Sequence, residues 1–333
     1  MGVDPISCAP AFQLSTPQSQ LPNENNMARR KKGNPVHGWL ILDKPLNMTS
    51  TQAVGYVRRM FNAQKAGHAG TLDPLATGVL PIALGEATKT VPFAVDGEKA
   101  YHFIVRWGAE TATDDAEGTV TKSSSDRPAR AKIEALLPGF TGEIMQVPPQ
   151  FSAIKVDGER AYDLARDGED VQLQARPVVI DRLEMIDMPD AETSVFIAEC
   201  GRGTYVRAIA RDLGRMLGCY GHVVGLRRTR VGPFEEARSI TVEQIEEAAK
   251  CDDGGESLYR LLAPVESALS DLPELMVSPS DAASLVRGQA ILLRGRDAPV
   301  MTGPAFATSK GRLVALGELD KGALHPTRVF NLG

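Results

Sequence analysis

The 333-residue chain holds only four cysteines, Cys8, Cys200, Cys219 and Cys251, and no two of them form a C-x-x-C pair. Only His222 stands near one of them, so the spacing argues against both a disulfide framework and a structural zinc site. No run approaches the roughly 20 apolar residues that a membrane helix requires. The N-terminus also lacks the basic-then-apolar order of a secretory leader, so no membrane attachment and a cytoplasmic location are expected. A basic balance is missing too, since the formal net charge is −5. Taken as an average, that charge argues against a nucleic-acid binder.

The average conceals an asymmetry. Between Arg202 and Phe234 lie seven arginines (202, 207, 211, 215, 227, 228 and 230) against one acid, Asp212, whereas residues 235–256 are dominated by Asp and Glu. A basic face on an acidic body can follow a phosphate backbone, or the same arginines can simply solvate a helix. With 43% apolar and 24% charged residues, the chain can bury a core and fill two or three domains.

Residues 1–33 are rich in Ser, Pro, Gln and Asn, end in a basic run and show no hydrophobic period, so a disordered extension is expected there. Met27 offers an alternative start, and intact-mass analysis of native protein tests it. Trp39-Leu40-Ile41-Leu42 reads as a buried strand, followed by a helix over 52–62 capped by Thr49 or Ser50. Tyr101, Phe103, Val105 and Trp107 alternate with His102, Ile104 and Arg106, the pattern of a half-buried strand. Further strands are read at 152–156, 178–180, 195–200 and 222–231, with a turn at Asp157-Gly158 and a short helix over 161–166. The clearest helix spans 204–217, with Val206, Ile209, Leu213 and Met216 as its apolar stripe and Gly218 as its stop. Thr241-x-x-Gln244 is a capping box. Prolines around 270–279 mark a boundary, beyond which a helix near 281–287 and glycine-punctuated strands such as 312–319 predict a small β-rich module. The order of elements lacks βαβ regularity and predicts an α+β fold on a mixed or antiparallel sheet: residues 34–272 form the main domain and 273–333 the module.

Chemistry concentrates in Gly67-His68-Ala69-Gly70-Thr71-Leu72-Asp73-Pro74-Leu75-Ala76-Thr77-Gly78, where glycines flanking an Asp-Pro let backbone approach a ligand. From the residues alone Asp73 is either a turn former or a catalytic carboxylate. A phosphate loop is excluded, because there is no Gly-Lys-Ser/Thr ending and no G-x-G-x-x-G between strand and helix.

This segment, with Asp43-Lys44-Pro45, Tyr101 and Arg202-Gly203-Thr204-Tyr205-Val206-Arg207, resembles the TruB family of tRNA pseudouridine-55 synthases in order and spacing. The similarity runs from about 37 to 234 and includes Val147-Pro148-Pro149-Gln150-Phe151-Ser152-Ala153 and His222-Val223-Val224-Gly225-Leu226-Arg227-Arg228. The C-terminal residues resemble the family's PUA-type RNA-binding module more weakly. The first 26 residues depart from the pattern.

The resemblance implies a set of roles. Asp73 matches the catalytic aspartate, which serves as nucleophile or as the base that starts glycal formation. Arg207 matches the arginine that pairs with it and would keep it ionised. Tyr101 matches the tyrosine that packs on the target base and is placed to remove the C5 proton; without the resemblance it would read as a core tyrosine at a strand end. His68 would help displace the target nucleotide, Leu226 would wall the pocket, and Lys44 and Pro45 would shape its floor. Tyr205 joins them as a substrate-binding candidate. Lys89, Arg211, Arg227, Arg228 and the C-terminal module are expected to contact phosphates.

No cofactor or metal is implied, because the base keeps its oxidation state. The implied partner is the T-arm of tRNA, bound by a monomer that needs no protein partner. Two rivals share the segments: a synthase that acts only within a guide-RNA particle, and a catalytically silent RNA-binding protein.

Overall fold

The computed structural model describes residues 33–152, 154–156, 159–160, 173–293 and 301–333. The expected N-terminal extension up to residue 32, the turn at Asp157-Gly158 and the helix over 161–166 lie outside them.

The chain opens with β1 (Gly38–Lys44), α1 (Ser50–Met60), β2 (Ala66–His68) and β3 (Ala76–Leu84). Thr49 caps α1, and a reciprocal bond from Gln52 closes the capping box. After α2 (Val91–Asp96) come β4 (Lys99–Trp107), the hairpin β5 (Ala109–Thr111) and β6 (Val120–Ser123), α3 (Arg130–Leu136) and β7 (Gly142–Gln146). The short strands β8 (Lys155–Val156) and β9 (Glu159–Arg160) pair with each other. Then follow β10 (Arg176–Asp187), β11 (Thr193–Cys200), α4 (Val206–Met216), β12 (Gly221–Val231) and β13 (Phe234–Glu235).

Nine of these strands form one sheet in the order β1-β3-β12-β4-β11-β10-β7, with β2 on β3 and β13 on β12. Only β3 and β12 run parallel, so the sheet is mixed and the fold is α+β. The apolar run in β1 has a plain cause. Trp39 and Ile41 enter one core, Leu40 and Leu42 another, so both faces of the strand are covered. β4 instead buries one face, with Phe103, Val105 and Trp107 inward and Ile104 facing out. Helix α4 packs Val206, Ile209, Ala210 and Leu213 into that same core. Met216, expected in the stripe, is exposed because it falls in the last turn, past the edge of the core.

Helices α5 (Val242–Ala249) and α6 (Glu256–Tyr259) follow, and Thr241 and Gln244 form the anticipated capping box. The C-terminal residues supply β14 (Glu274–Met276), α7 (Pro279–Val286), β15 (Ile291–Leu292), β16 (Gly303–Ser309), β17 (Arg312–Asp320) and β18 (Ala323–Val329). These five strands make a second sheet, β14-β16-β17-β18-β15, around Leu285, Ala305, Ala315 and Leu324. A shared apolar seam joins the two sheets: Phe306, Leu313, Leu316 and Phe330 belong to the core that contains Trp39 and Phe234.

Candidate active site

The seven residues between β2 and β3, 69–75, carry Asp73, and three side chains hold their backbone. Ser50 at the start of α1 accepts from Leu72 N at 2.8 Å and donates to Leu72 O at 3.0 Å. Lys44, fully buried at the end of β1, donates to the carbonyls of Pro45 (2.9 Å), Met48 (2.7 Å) and Pro74 (3.3 Å). Arg228 on β12 donates to Gly70 O (3.1 Å), Thr71 O (3.3 Å) and Val79 O (2.8 Å). Gly78 must be glycine here: its φ is +95°, and a Cβ would lie 2.2 Å from Arg228 O.

Burial pulls the Lys44 ammonium down to about 8, against the favourable field of Asp73. An uncharged amine has two N–H donors for three carbonyls, so the full clamp requires the cation.

Asp73 meets Arg207 in the first turn of α4, with Oδ2 at 2.9 Å from Nε. The arginine side chain is 6% exposed, whereas the aspartate keeps 36%. Arg207 is itself fixed from three directions: Nη1 donates to Thr113 O at 2.7 Å, Nη2 to Phe151 O at 2.9 Å, and Asp115 Oδ2 lies 3.4 Å from Nη1. Asp115 in turn accepts from Glu117 N (3.0 Å) and from the Thr113 hydroxyl. The carboxyl of Glu117 is pushed up by burial and by the charges of Asp115 and Asp73. A fixed, buried fork thus orients an open carboxylate, which suits attack on a ligand better than a turn role.

Tyr101 lies on β4 directly across from Arg228 of β12 and Ala198 of β11. Burial raises its hydroxyl, and Arg228 opposes that rise. His68 ends β2, paired with Ile82, and both burial and Arg228 lower its imidazole, which favours the neutral ring. Leu226 pairs with Phe103 of β4 and Ala76 of β3 and packs against both adjoining cores. Tyr205 is the N-cap of α4; its backbone exchanges two bonds with the Gln146 amide, and burial raises its phenol. Pro45 is exposed beside Lys44.

Lys89 lies elsewhere, at the seam. Its ammonium meets Glu86 (2.5 Å) and Val329 O (2.7 Å) and stands over the Phe330 ring. Phosphate contacts by Arg211 and Arg228 are ruled out by burial, because both side chains are already filled by protein partners. Arg227 is engaged by Asp43 and Glu236. Ser50, Asp115 and Gln146 were not legible as site residues. The sole hint was the acid pair Asp114-Asp115 in a short loop, which gains meaning only once arginines four apart on α4 are set opposite it.

Residues 58–206 match the family model described as TruB family pseudouridylate synthase (N terminal domain), and residues 207–270 match the tRNA pseudouridylate synthase B C-terminal domain. The class is therefore that of the pseudouridylate synthases. Among curated relatives, the tRNA pseudouridine synthase B of Bradyrhizobium diazoefficiens is 59% identical over 93% of this chain and 92% of its own length. That of Agrobacterium fabrum is 56% identical over 91% and 97%. The chain belongs to the TruB family of pseudouridylate synthases. Its fold is shared with a protein in a solved H/ACA RNP bound to a substrate RNA containing 2′-deoxyuridine, at TM-score 0.69 and 25% identity over 93% of each chain. A Cbf5-Nop10-Gar1 complex matches at TM-score 0.69 and 27% identity, covering 93% of this chain and 92% of that one.

Proposed function

We propose that this TruB-type synthase isomerises uridine to pseudouridine at position 55 in the T-loop of tRNA, with Asp73 as its catalytic carboxylate. The relatives named tRNA pseudouridine synthase B, at up to 60% identity, support tRNA as the substrate. The observation that carries the residue assignment is the 2.9 Å pair between the open carboxylate of Asp73 and the buried Arg207.

The reaction breaks the C1′–N1 bond, forms C1′–C5, releases the C5 proton and protonates N1, so the product is an isomer and no redox partner is needed. Asp73 serves as nucleophile or as the base that opens the glycal route. Arg207 aims it, and Tyr101 packs on the uracil and takes part in removing the C5 proton. The uridine must leave its stack to reach the carboxylate, at a cost of about a few kcal/mol. His68 assists that displacement, Leu226 and Tyr205 line the pocket, and the Lys44–Pro45 corner supports its floor. Lys89 acts through the seam, holding the C-terminal module that binds RNA. RNA shape then selects the site. The enzyme works as a monomer on bare tRNA, unlike the relatives solved within protein and RNA assemblies.

The test is tritium release from C5-labelled uridine in an unmodified tRNA transcript incubated with the purified chain alone. Release equal to one uridine per tRNA, abolished when U55 is replaced by C, supports the reading. Release that appears only with a guide RNA or added proteins refutes stand-alone action.

A further inference from the structure

Arg228 is 2% exposed, yet it meets no carboxylate among its described hydrogen-bond and ion-pair partners. A buried guanidinium is costly unless its donors are placed, and here they are placed on carbonyls before and after Asp73. Nη1 and Nη2 reach Thr71 O and Gly70 O, two and three residues before Asp73, while Nε reaches Val79 O just after β3 begins. Its backbone is in register with Tyr101 on one side and Gly78 on the other, so one residue lies between the strand of the phenol and the strand that ends the Asp73 loop. Direct cross-strand partners project to the same face, which sets the guanidinium beside the Tyr101 ring. Gly70 leaves it space: a Cβ there would lie 3.4 Å from Nη1.

We infer that Arg228 is a positioning residue that fixes the separation of the Tyr101 phenol from the Asp73 loop. This inference rests on the proposed roles of Asp73 and Tyr101. A lysine keeps the charge but carries its donors on one nitrogen instead of spreading them over a planar fork, so Arg228→Lys cannot reach both ends of the loop and leaves loop and phenol free to shift.

The experiment compares single-turnover rates and C5-deuterium isotope effects for the wild type, Arg228→Lys, Tyr101→Phe and the double variant on saturating tRNA. Arg228→Lys should slow turnover about ten- to a hundredfold through misalignment. Its tRNA affinity should be unchanged and its isotope effect larger. It should also add almost nothing to the loss caused by Tyr101→Phe, because the two act as a unit. Multiplicative losses with an unaltered isotope effect would overturn the inference, as would a loss confined to tRNA affinity.

If Arg228→Lys does not fold, the side-chain N–H resonances of Arg228 decide the matter in wild type and Tyr101→Phe, neither of which alters it. Slowly exchanging signals that broaden in Tyr101→Phe support the link, and identical signals refute it. Full activity of Tyr101→Phe would instead mean that the proposed role of Tyr101 is wrong, an outcome separable from all of these.

Discussion

Arg207, Arg211 and Arg215 stand four residues apart on α4, and each faces an acid of the 110–115 segment: Asp115 at 3.4 Å, Asp114 at 3.0 Å and Glu110 at 2.6 Å. Helical spacing puts them on one face and all three acids are buried, so the exposure of each arginine and its remaining partners separate their fates. At the inner end Arg207 is buried and has a second, open carboxylate, Asp73. In the middle Arg211 is buried, but its acids are Asp114 and the adjacent Asp212, with Val147 O as a further acceptor. At the outer end Arg215 is 46% exposed and its bonds go to Glu110. One residue type at one spacing thus meets an open carboxylate, forms a buried ion pair and reaches a buried acid from the surface in turn.

The largest effect should come from the inner end. Arg207→Lys keeps a charge against Asp115 but loses the fork, and kcat should fall about 100- to 1000-fold with little change in tRNA affinity; single-turnover kinetics with filter binding checks this. In the middle, Arg211→Met should cost about 3–5 kcal/mol at pH 7 by leaving the buried Asp114 unpaired. Asp114 already titrates at about 6, because burial outweighs its arginines. Its folded pKa is raised above the unfolded value, so the folded state binds the extra proton between roughly 4 and 6 and the burial penalty is relieved as pH falls through that window. Thermal melts should therefore show a smaller deficit for Arg211→Met at pH 5 than at pH 7.

Lys44 gives a weaker, pH-dependent effect. Its folded pKa of about 8 is depressed, so above that pH the amine loses a donor, the clamp on Met48, Pro45 and Pro74 loosens, and kcat should decline. Stability moves the other way: the unfolded chain holds that proton to higher pH, so the cost of burying the cation is relieved above 8. A kcat–pH profile alongside melts at pH 7 and 9 would show the opposite slopes. At the outer end, Arg215→Ala should cost about 1–2 kcal/mol of stability and leave turnover intact, since the carboxylate it abandons, Glu110, is buried but keeps Lys122 at 3.0 Å.

Much of this was readable from the chain. The alternation in β4, the Thr241 capping box, the cap of α1 at Thr49 or Ser50 and the glycine-bordered Asp73 loop depend on neighbours in sequence and were placed close to where they fall. Arg207 was found through its motif, but its second partner Asp115 was not, because nothing local distinguishes a loop aspartate that is buried from one that is solvated. The same reasoning misplaced Arg211 and Arg228 as phosphate contacts: a basic residue on a polar face reads as exposed until the opposing loop or strand is known. The seam was invisible for a like reason. Prolines marked a boundary near 273, whereas the burial of Phe306 and Phe330 against the Trp39 core is a long-range contact with no local signature.

The central claim is that Asp73 is the reacting carboxylate and α4 only aims it. The measurement is C5-tritium release from an unmodified tRNA transcript by Asp73→Asn beside the wild type, with tRNA binding and melting temperature recorded for both. The account predicts no release by Asp73→Asn, unchanged tRNA affinity and a melting temperature within a few degrees of the wild type. Substantial release by Asp73→Asn would contradict it, and the catalytic role would have to pass to another group near Arg207 and Tyr101.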